Sequence, residues 1–323
     1  MSESRIGRRA FIKGAGVAAL GASAMVSALP GLADETVPNS TGTERPKLKA
    51  PKNACDCHHH IYDARFPTMA PNGAPPPKPE PDSIVSDYRK LQHRLGTTRH
   101  VILTPSPYMT DNSVTLDAIS QFGKEARGIA VVVPSVTDAE LKKMHDGGIR
   151  GIRFVNPRPG NLTTVDMIEP MANRIKDMGW HIDTNMSPDV VAANADLFGR
   201  LPTPVVFDHL AHMVGDASLN SPGFAAVRKL MGSGKAYMKL SIFIADSKVG
   251  APTYADLSPA AMEYVKINPE RVIWGSNWPH PGESPKPDDA NFLDMLLQWA
   301  PDAKTRHRIL VDNPEKLFGF GKA

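Results

Sequence analysis

Eight short runs of β-branched and apolar residues recur along the chain, each followed by a polar-faced stretch with helical spacing. The runs are "CDCHHHIY" from Cys55, "HVILTPS" from His100, "GIAVVVP" from Gly128 and "GIRFVN" from Gly151. They continue with "WHIDTN" from Trp180, "PVVFDHL" from Pro204, "AYMKLS" from Ala236 and "RVIWGSN" from Arg271. Apolar runs this short predict strands buried on both faces. The stretches "SIVSDYRKLQHRLG", "NSVTLDAISQFGKEA" and "TDAELKKMHDGG" predict helices between the early strands. The third opens on Thr137 with Glu140 placed to complete a capping box, and it closes on glycine. Strand and helix alternating in this way predict an α/β fold, a (β/α)8 TIM barrel. A doubly wound open sheet is the competing architecture, but no Gly-rich phosphate loop follows the first run.

Three stretches fall outside the alternation. "APNGAPPPKPEPD" (Ala70–Asp82) is too rich in proline for an element and reads as a long surface loop. Residues Asp34–Lys52 read as a linker, which places the barrel at 53–323. Residues 1–33 carry the twin arginine Arg8 and Arg9 in "GRRAFIKG", then the apolar run Ala15–Leu29 and the small-residue stop "GLA". This is the layout of a twin-arginine signal peptide, with cleavage expected after Ala33. An apolar run of about fifteen Gly- and Ala-rich residues is too short to serve as a membrane anchor. The reading implies the twin-arginine export machinery as a partner, a periplasmic location and no stable anchor after cleavage.

Composition sharpens this picture in two places. The chain has 323 residues, 41% of them hydrophobic, enough for one large core in a single domain. Its formal net charge of +3 comes from the signal, where Arg5, Arg8, Arg9 and Lys13 face Glu3 alone. The remainder is neutral and has no basic footprint for nucleic acid. The only cysteines, Cys55 and Cys57, are too close in sequence for an unstrained bridge and read as buried free thiols.

The candidate chemistry begins in "ACDCHHHIYD" (Ala54–Asp63). Alternate strand residues share a face, so Asp56, His58 and His60 are expected to point one way, and Cys55, Cys57 and His59 the other. His58 and His60 at a strand's C-terminal end place two imidazoles at a barrel mouth, where two nitrogens can grip one divalent metal. His209, ending "VVFDH", leans over the same mouth; Asp208 has the opposite parity and is expected to face the helices. His212 is read as a rim residue and His181 as a buried structural one. Asn277 in "WGSNWPHP" sits at the mouth, with His280 in the loop beyond.

The His58/His60 pair, the "DH" of strand six and "WGSNWPHP" resemble the amidohydrolase superfamily. Its lactonase branch, which acts on pyrone dicarboxylates and sulfomuconolactones, is the nearest likeness. The resemblance runs from Asn53 to Phe318 and includes "TDNSVTLDAI", "KEARGIAVV", "GGIRGIRF" and "VDNPEKLFGF". It implies that His58, His60 and His209 line the catalytic centre, either as metal ligands or, in a metal-independent mechanism, by polarising the lactone carbonyl. It also implies that Ser106 contacts substrate and that Arg153, with Arg158 near a second such position, clamps an anionic group. Three departures stand out. Asn277 replaces the usual strand-eight aspartate, and an amide is no general base near neutral pH. Asn185 replaces a substrate-contacting tyrosine, and "KLSIFIADSK" lacks an arginine for a second carboxylate, which disfavours the pyrone dicarboxylate.

The resulting expectation is a hydrolase of an anionic lactone in aromatic catabolism, 4-sulfomuconolactone being the best single candidate. A divalent metal, zinc first, would offset the lost aspartate, with His280 moving the proton and Asp56 behind it. The alternatives are a superfamily decarboxylase and a periplasmic binding protein that has lost catalysis.

Overall fold

Each of the eight apolar runs forms a strand. The computed structural model describes residues 36–69, 83–155 and 162–321. The twin-arginine segment, the whole proline-rich stretch Ala70–Asp82 and Arg158 lie outside the described residues. The strands are β1 (Cys55–His59), β2 (Arg99–Leu103), β3 (Ala126–Ala130) and β4 (Ile149–Val155). They continue as β5 (His181–Asn185), β6 (Val205–Phe207), β7 (Ala236–Leu240) and β8 (Val272–Trp274). All pair in parallel, in sequence order. Helices lie between them, among them α1 (Val85–Leu95), α2 (Ser113–Phe122) and α3 (Asp138–Asp146). The Thr137 cap is made on both sides: Thr137 Oγ1 accepts from Glu140 N at 3.2 Å, and Glu140 Oε2 accepts from Thr137 N at 2.7 Å.

The barrel closes just above its last strand. Asn277 N donates to His58 O and His60 N donates to Trp278 O, both at 2.8 Å. Gly275 permits this approach, since a Cβ there would lie 2.6 Å from the Cβ of His58 and 2.8 Å from its backbone nitrogen. Asp56 fastens the same seam. Its carboxylate accepts from Ser276 N (2.9 Å), Ser276 Oγ (2.6 Å), His58 N (3.1 Å) and the Tyr88 hydroxyl of α1 (2.9 Å).

That placement of Asp56 corrects the alternation expected for β1. Asp56 pairs with His100 and His59 with Ile102, so one extra residue is inserted in β1 between these two pairs. Such a bulge reverses the in–out order beyond it. Below it, Cys55 and Cys57 face the barrel interior, with Val101, Leu103, Ile129, Val206, Tyr237 and Ile273. Asp56 faces α1 rather than the mouth. Above it, His58 and His60 turn inward, while His59 stacks on Tyr88 with ring centroids 3.5 Å apart. Both cysteines are buried and unbridged, as read from their spacing.

The interior core is stoppered from the end opposite the histidines. Leu317, Phe318 and Phe320 join the inward-facing strand residues, and Phe318 meets the buried His181 edge-on with ring centroids 5.3 Å apart. A second, larger core lies between strands and helices and takes in Trp180, Trp274, Trp278 and Trp299. Residues expected to form a free linker belong to it: Val37 and Leu48 are buried there, and Pro38 O accepts from Trp278 Nε1 at 2.7 Å. The apolar side chains at 37 and 48 explain why this stretch lies on the barrel rather than in solvent. Among the described residues, no helix is long and apolar enough to cross a membrane.

Truncating the stopper leaves a cavity that rigid strands cannot collapse. Phe318→Ala should destabilise the fold by about 3–5 kcal/mol, read as a lowered midpoint in urea unfolding followed by tryptophan fluorescence.

Candidate active site

Three imidazoles meet at the C-terminal ends of the strands, and each is anchored through Nδ1. His60 Nδ1–H donates to Leu103 O at 2.9 Å. His58 Nδ1 faces Asp208 Oδ1 at 3.2 Å. His209 Nδ1 meets Ser241 Oγ at 2.9 Å. The His58 ring lies 5.1 Å from that of His60 and 4.7 Å from that of His209, centroid to centroid. All three Nε2 edges are therefore left for the mouth, and His58 Nε2 is buried without a partner. Burial lowers the pKa of each ring, that of His60 to about 3, with Lys239 and Arg153 adding to the effect. All three are neutral at physiological pH.

The Ser241 contact accommodates either neutral tautomer of His209. Ser241 Oγ accepts the backbone N–H of His209 at 3.3 Å, and its hydroxyl either gives its hydrogen to Nδ1 or accepts a second hydrogen from it. With the hydroxyl donating, the ring proton of His209 sits on Nε2, a donor into the mouth. His60 is the opposite case, because a carbonyl can only accept. Its Nδ1 carries the proton and its Nε2 offers a lone pair.

Beneath the rings lies a buried charge cluster. Asp208 Oδ2 accepts from Arg153 Nε (2.9 Å) and Nη2 (2.8 Å), and Asp208 Oδ1 accepts from Lys239 Nζ (2.8 Å). Lys239 Nζ also reaches Asp183 Oδ2 at 2.8 Å, and all these groups are buried. Two buried carboxyl groups, Asp208 and Asp183, face two cations, Arg153 and Lys239. Burial works against ionising Asp208, yet Lys239 and Arg153 hold its carboxyl well below the usual range. Burial, followed by repulsion from Asp208, pushes Asp183 up.

Asp208 was expected to face the helices, and the structure places it inside. Val206 belongs to the interior core, and strand alternation carries Asp208 to the same face two residues on. His209 reaches the mouth by a different route, because the backbone leaves the strand there. His209, Leu210, Ala211 and His212 have φ of 49°, 55°, 51° and 55°, a left-handed run rare for residues with side chains. Asp208 also displaces His60 from the expected metal-ligand trio. The side chains whose donor atoms lie within 4.8 Å of one another are His58, Asp208 and His209.

The pocket above is lined by His60, Tyr62, Ser106, Arg153, Val155, Asn185, His209, Phe243, Asn277, Pro281 and Glu283. A recess lined by Ser106, Met109, Val131, Arg153, Val155, Leu162 and Thr163 shares its wall. Most of the residues singled out from the sequence thus meet in one place. His280 does not line the pocket. Its ring is buried against Phe292, with Nε2 held to Asp289 Oδ1 at 3.0 Å, so the expected proton carrier points away from the mouth. His212, expected at the rim, bridges Asp246 Oδ2 (2.7 Å) and Asn185 Oδ1 (2.8 Å) and so holds the Asn185 amide.

Sequence reasoning missed Lys239, Asp183 and Glu283. The first two carried a signal: Tyr237 and Lys239 share a parity in "AYMKLS", as do His181 and Asp183 in "WHIDTN". Glu283 lies in a loop and carried none.

Six buried histidines, at 58, 59, 60, 100, 181 and 209, have lowered pKa values, led in every case by burial. Between their folded pKa values and the unfolded value of about 6.5, the unfolded chain binds more protons. The stability they contribute is present above that unfolded value and is lost as pH falls below it. Urea midpoints should fall steadily from pH 7 to pH 5, with a slope of up to about 1.4 kcal/mol per pH unit for each histidine. A flat profile would show that these rings are not held neutral.

Comparison with known proteins agrees with this geometry. A family model described as amidohydrolase matches residues 55–320. A 4-sulfomuconolactone hydrolase from Rhizobium radiobacter is 36% identical over 275 residues, 83% of this chain and 91% of the relative. A 2-pyrone-4,6-dicarboxylate hydrolase from Comamonas testosteroni is 33% identical over 85% of this chain and 92% of its own length. A crystal structure from Agrobacterium tumefaciens, without ligand, superposes with a TM-score of 0.78 at 27% identity, covering 88% of this chain and 99% of that one. With the barrel, the histidine mouth and the match over nearly the whole described region in agreement, the chain belongs to the amidohydrolase family.

Proposed function

We propose that this chain hydrolyses an anionic lactone, 4-sulfomuconolactone being the favoured substrate, by attack of water on the ring carbonyl. The observation that carries the reading is the position of Arg153. Asp208 engages its Nε and Nη2 at 2.9 and 2.8 Å, while the guanidinium lines both the pocket and the recess beside Ser106. A sulfonate or carboxylate seated there brings the lactone ring beside His209 and His60, which line the same pocket. The His209 Nε2–H suits the carbonyl oxygen and the charge that develops on it. The His60 Nε2 lone pair and the Asn277 amide suit the attacking water. The names of the two curated relatives support the lactone class. Asn185 in the pocket, and the absence of arginine from 240–249, leave any second anionic group of the substrate to be held by donors other than an arginine of that segment.

Zinc was expected at the histidines, and the donor types do suit a divalent ion: two neutral imidazoles, one with an unpartnered buried nitrogen, and a carboxylate. Their arrangement does not suit it. Both oxygens of Asp208 are taken by Arg153, Lys239 and His58, and its charge is already balanced. A divalent ion would have to displace a buried cation, so no step here is routed through one. We further propose that residues 1–33 direct the protein to the periplasm through the twin-arginine machinery.

The test is a ring-opening assay on 4-sulfomuconolactone and 2-pyrone-4,6-dicarboxylate, followed by ultraviolet absorbance. The sulfonated lactone should be opened with the higher kcat/KM, and the rate should survive exhaustive chelation. A chain that opens neither lactone is not this enzyme, and loss of rate with chelator that zinc restores would reinstate the metal. Arg153→Lys keeps the charge but loses the paired donors, so KM should rise about ten- to a hundredfold, matching a charged hydrogen bond of about 1.5–3 kcal/mol.

A further inference from the structure

Hydrolysis needs a group that takes the proton of the attacking water, and the side chains above the charge cluster do not supply one. His58, His60 and His209 are buried rings, fixed through Nδ1 by Asp208 Oδ1, Leu103 O and Ser241 Oγ respectively, a setting that disfavours the charge a base acquires. Asn277 is an amide, which takes no proton near neutral pH, and its Nδ2 donates to Ile242 O at 3.1 Å. Asp208 has both oxygens committed to buried cations. Asp246 and Asp289 are tied to His212 and His280.

Glu283 is different. Among the described residues that line the pocket it is the single carboxylate. It lies on the loop that carries Asn277 out of β8, and two contacts hold it there. Its backbone N–H donates to His280 O at 3.1 Å, and its Oε1 accepts from Ala245 N, in the segment after β7, at 3.3 Å. No hydrogen bond from a described residue engages Oε2, and Glu283 forms no ion pair with a described residue, so the carboxylate is held in place yet uncommitted.

We propose that Glu283 is the general base of ring opening, replacing from the loop the carboxylate that strand eight lacks at Asn277. The proposal rests on the lactonase reading above. Glu283 takes one proton from water as the water oxygen bonds to the ring carbonyl carbon, and His209 Nε2–H holds the oxyanion. Collapse of that intermediate breaks the bond between the carbonyl carbon and the ring oxygen. Glu283 returns the proton to the departing ring oxygen, and the new carboxylic acid releases one proton to solvent.

The experiment compares wild type, Glu283→Gln, Glu283→Ala and Glu283→Gln with Asn277→Asp, each on 4-sulfomuconolactone and 2-pyrone-4,6-dicarboxylate. Glu283→Gln preserves shape and the Ala245 contact, so kcat should fall about 10²- to 10⁴-fold while KM moves little. Asn277→Asp in that background restores a carboxylate at the strand end and should recover at least about tenfold of the loss. Formate should raise the rate of Glu283→Ala, a rescue that a purely structural role does not show and one that decides the matter if the glutamine variant folds poorly. A Glu283→Gln enzyme that keeps most of its kcat, or loses only in KM, overturns the proposal while the lactonase reading stands. So does failure of both Asn277→Asp and formate to restore rate. A wild-type chain that opens neither lactone overturns both.

Discussion

The pairing of Asp208 with Arg153 and Lys239 is the constraint on which the rest of the site depends. A barrel interior is a poor solvent for charge, and a lone ion there costs several kcal/mol unless it is paired and hydrogen-bonded. Here β5, β4 and β7 contribute Asp183, Arg153 and Lys239, Asp208 follows directly on β6, and the four meet in buried ion pairs. Removing any one of them leaves an uncompensated charge. Functional side chains rest on this layer: Asp208 orients His58, and Arg153 carries its charge up into the pocket.

The same layer explains the protonation of the mouth. Burial above all, with Lys239 beneath all three rings and Arg153 acting on His60 and His209, lowers the pKa of His58, His60 and His209 and keeps them neutral. Neutral rings have two faces, and the groups bonded to Nδ1 decide which is presented. Leu103 O makes His60 an acceptor, whereas the Ser241 hydroxyl, when it donates to Nδ1, leaves His209 a donor. One residue type thereby supplies both polarities that addition of water to a carbonyl requires.

Backbone irregularities carry this arrangement as much as side chains do. The inserted residue in β1 turns His58 and His60 inward above Cys57. The left-handed run His209–His212 brings His209 over the mouth and sets His212 against Asn185. Asn277 also has a left-handed backbone, with φ of 68°, at the point where the chain meets β1. Departures from regular geometry gather around the pocket, where they aim side chains that regular strands would turn away.

The sequence by itself determined the eight strands, their parallel order and the identity of most pocket residues. Apolar runs at this spacing have few other ways to bury themselves, and the histidines, Ser106, Arg153, Asn185 and Asn277 sit at strand ends or just past them. Only the tertiary structure decided which way those residues face and with what they pair. Alternation is reliable within an unbroken strand, so one bulge was enough to exchange Asp56 for the cysteines in the interior. The turn from β6 then let two adjacent residues, Asp208 and His209, both point inward. The balance of Asp183 and Asp208 against Arg153 and Lys239 joins strands far apart in sequence, and Glu283 reaches the pocket only through a loop. Pattern along a chain reports local periodicity, whereas charge compensation is a property of depth and neighbourhood, which closure of the barrel alone creates.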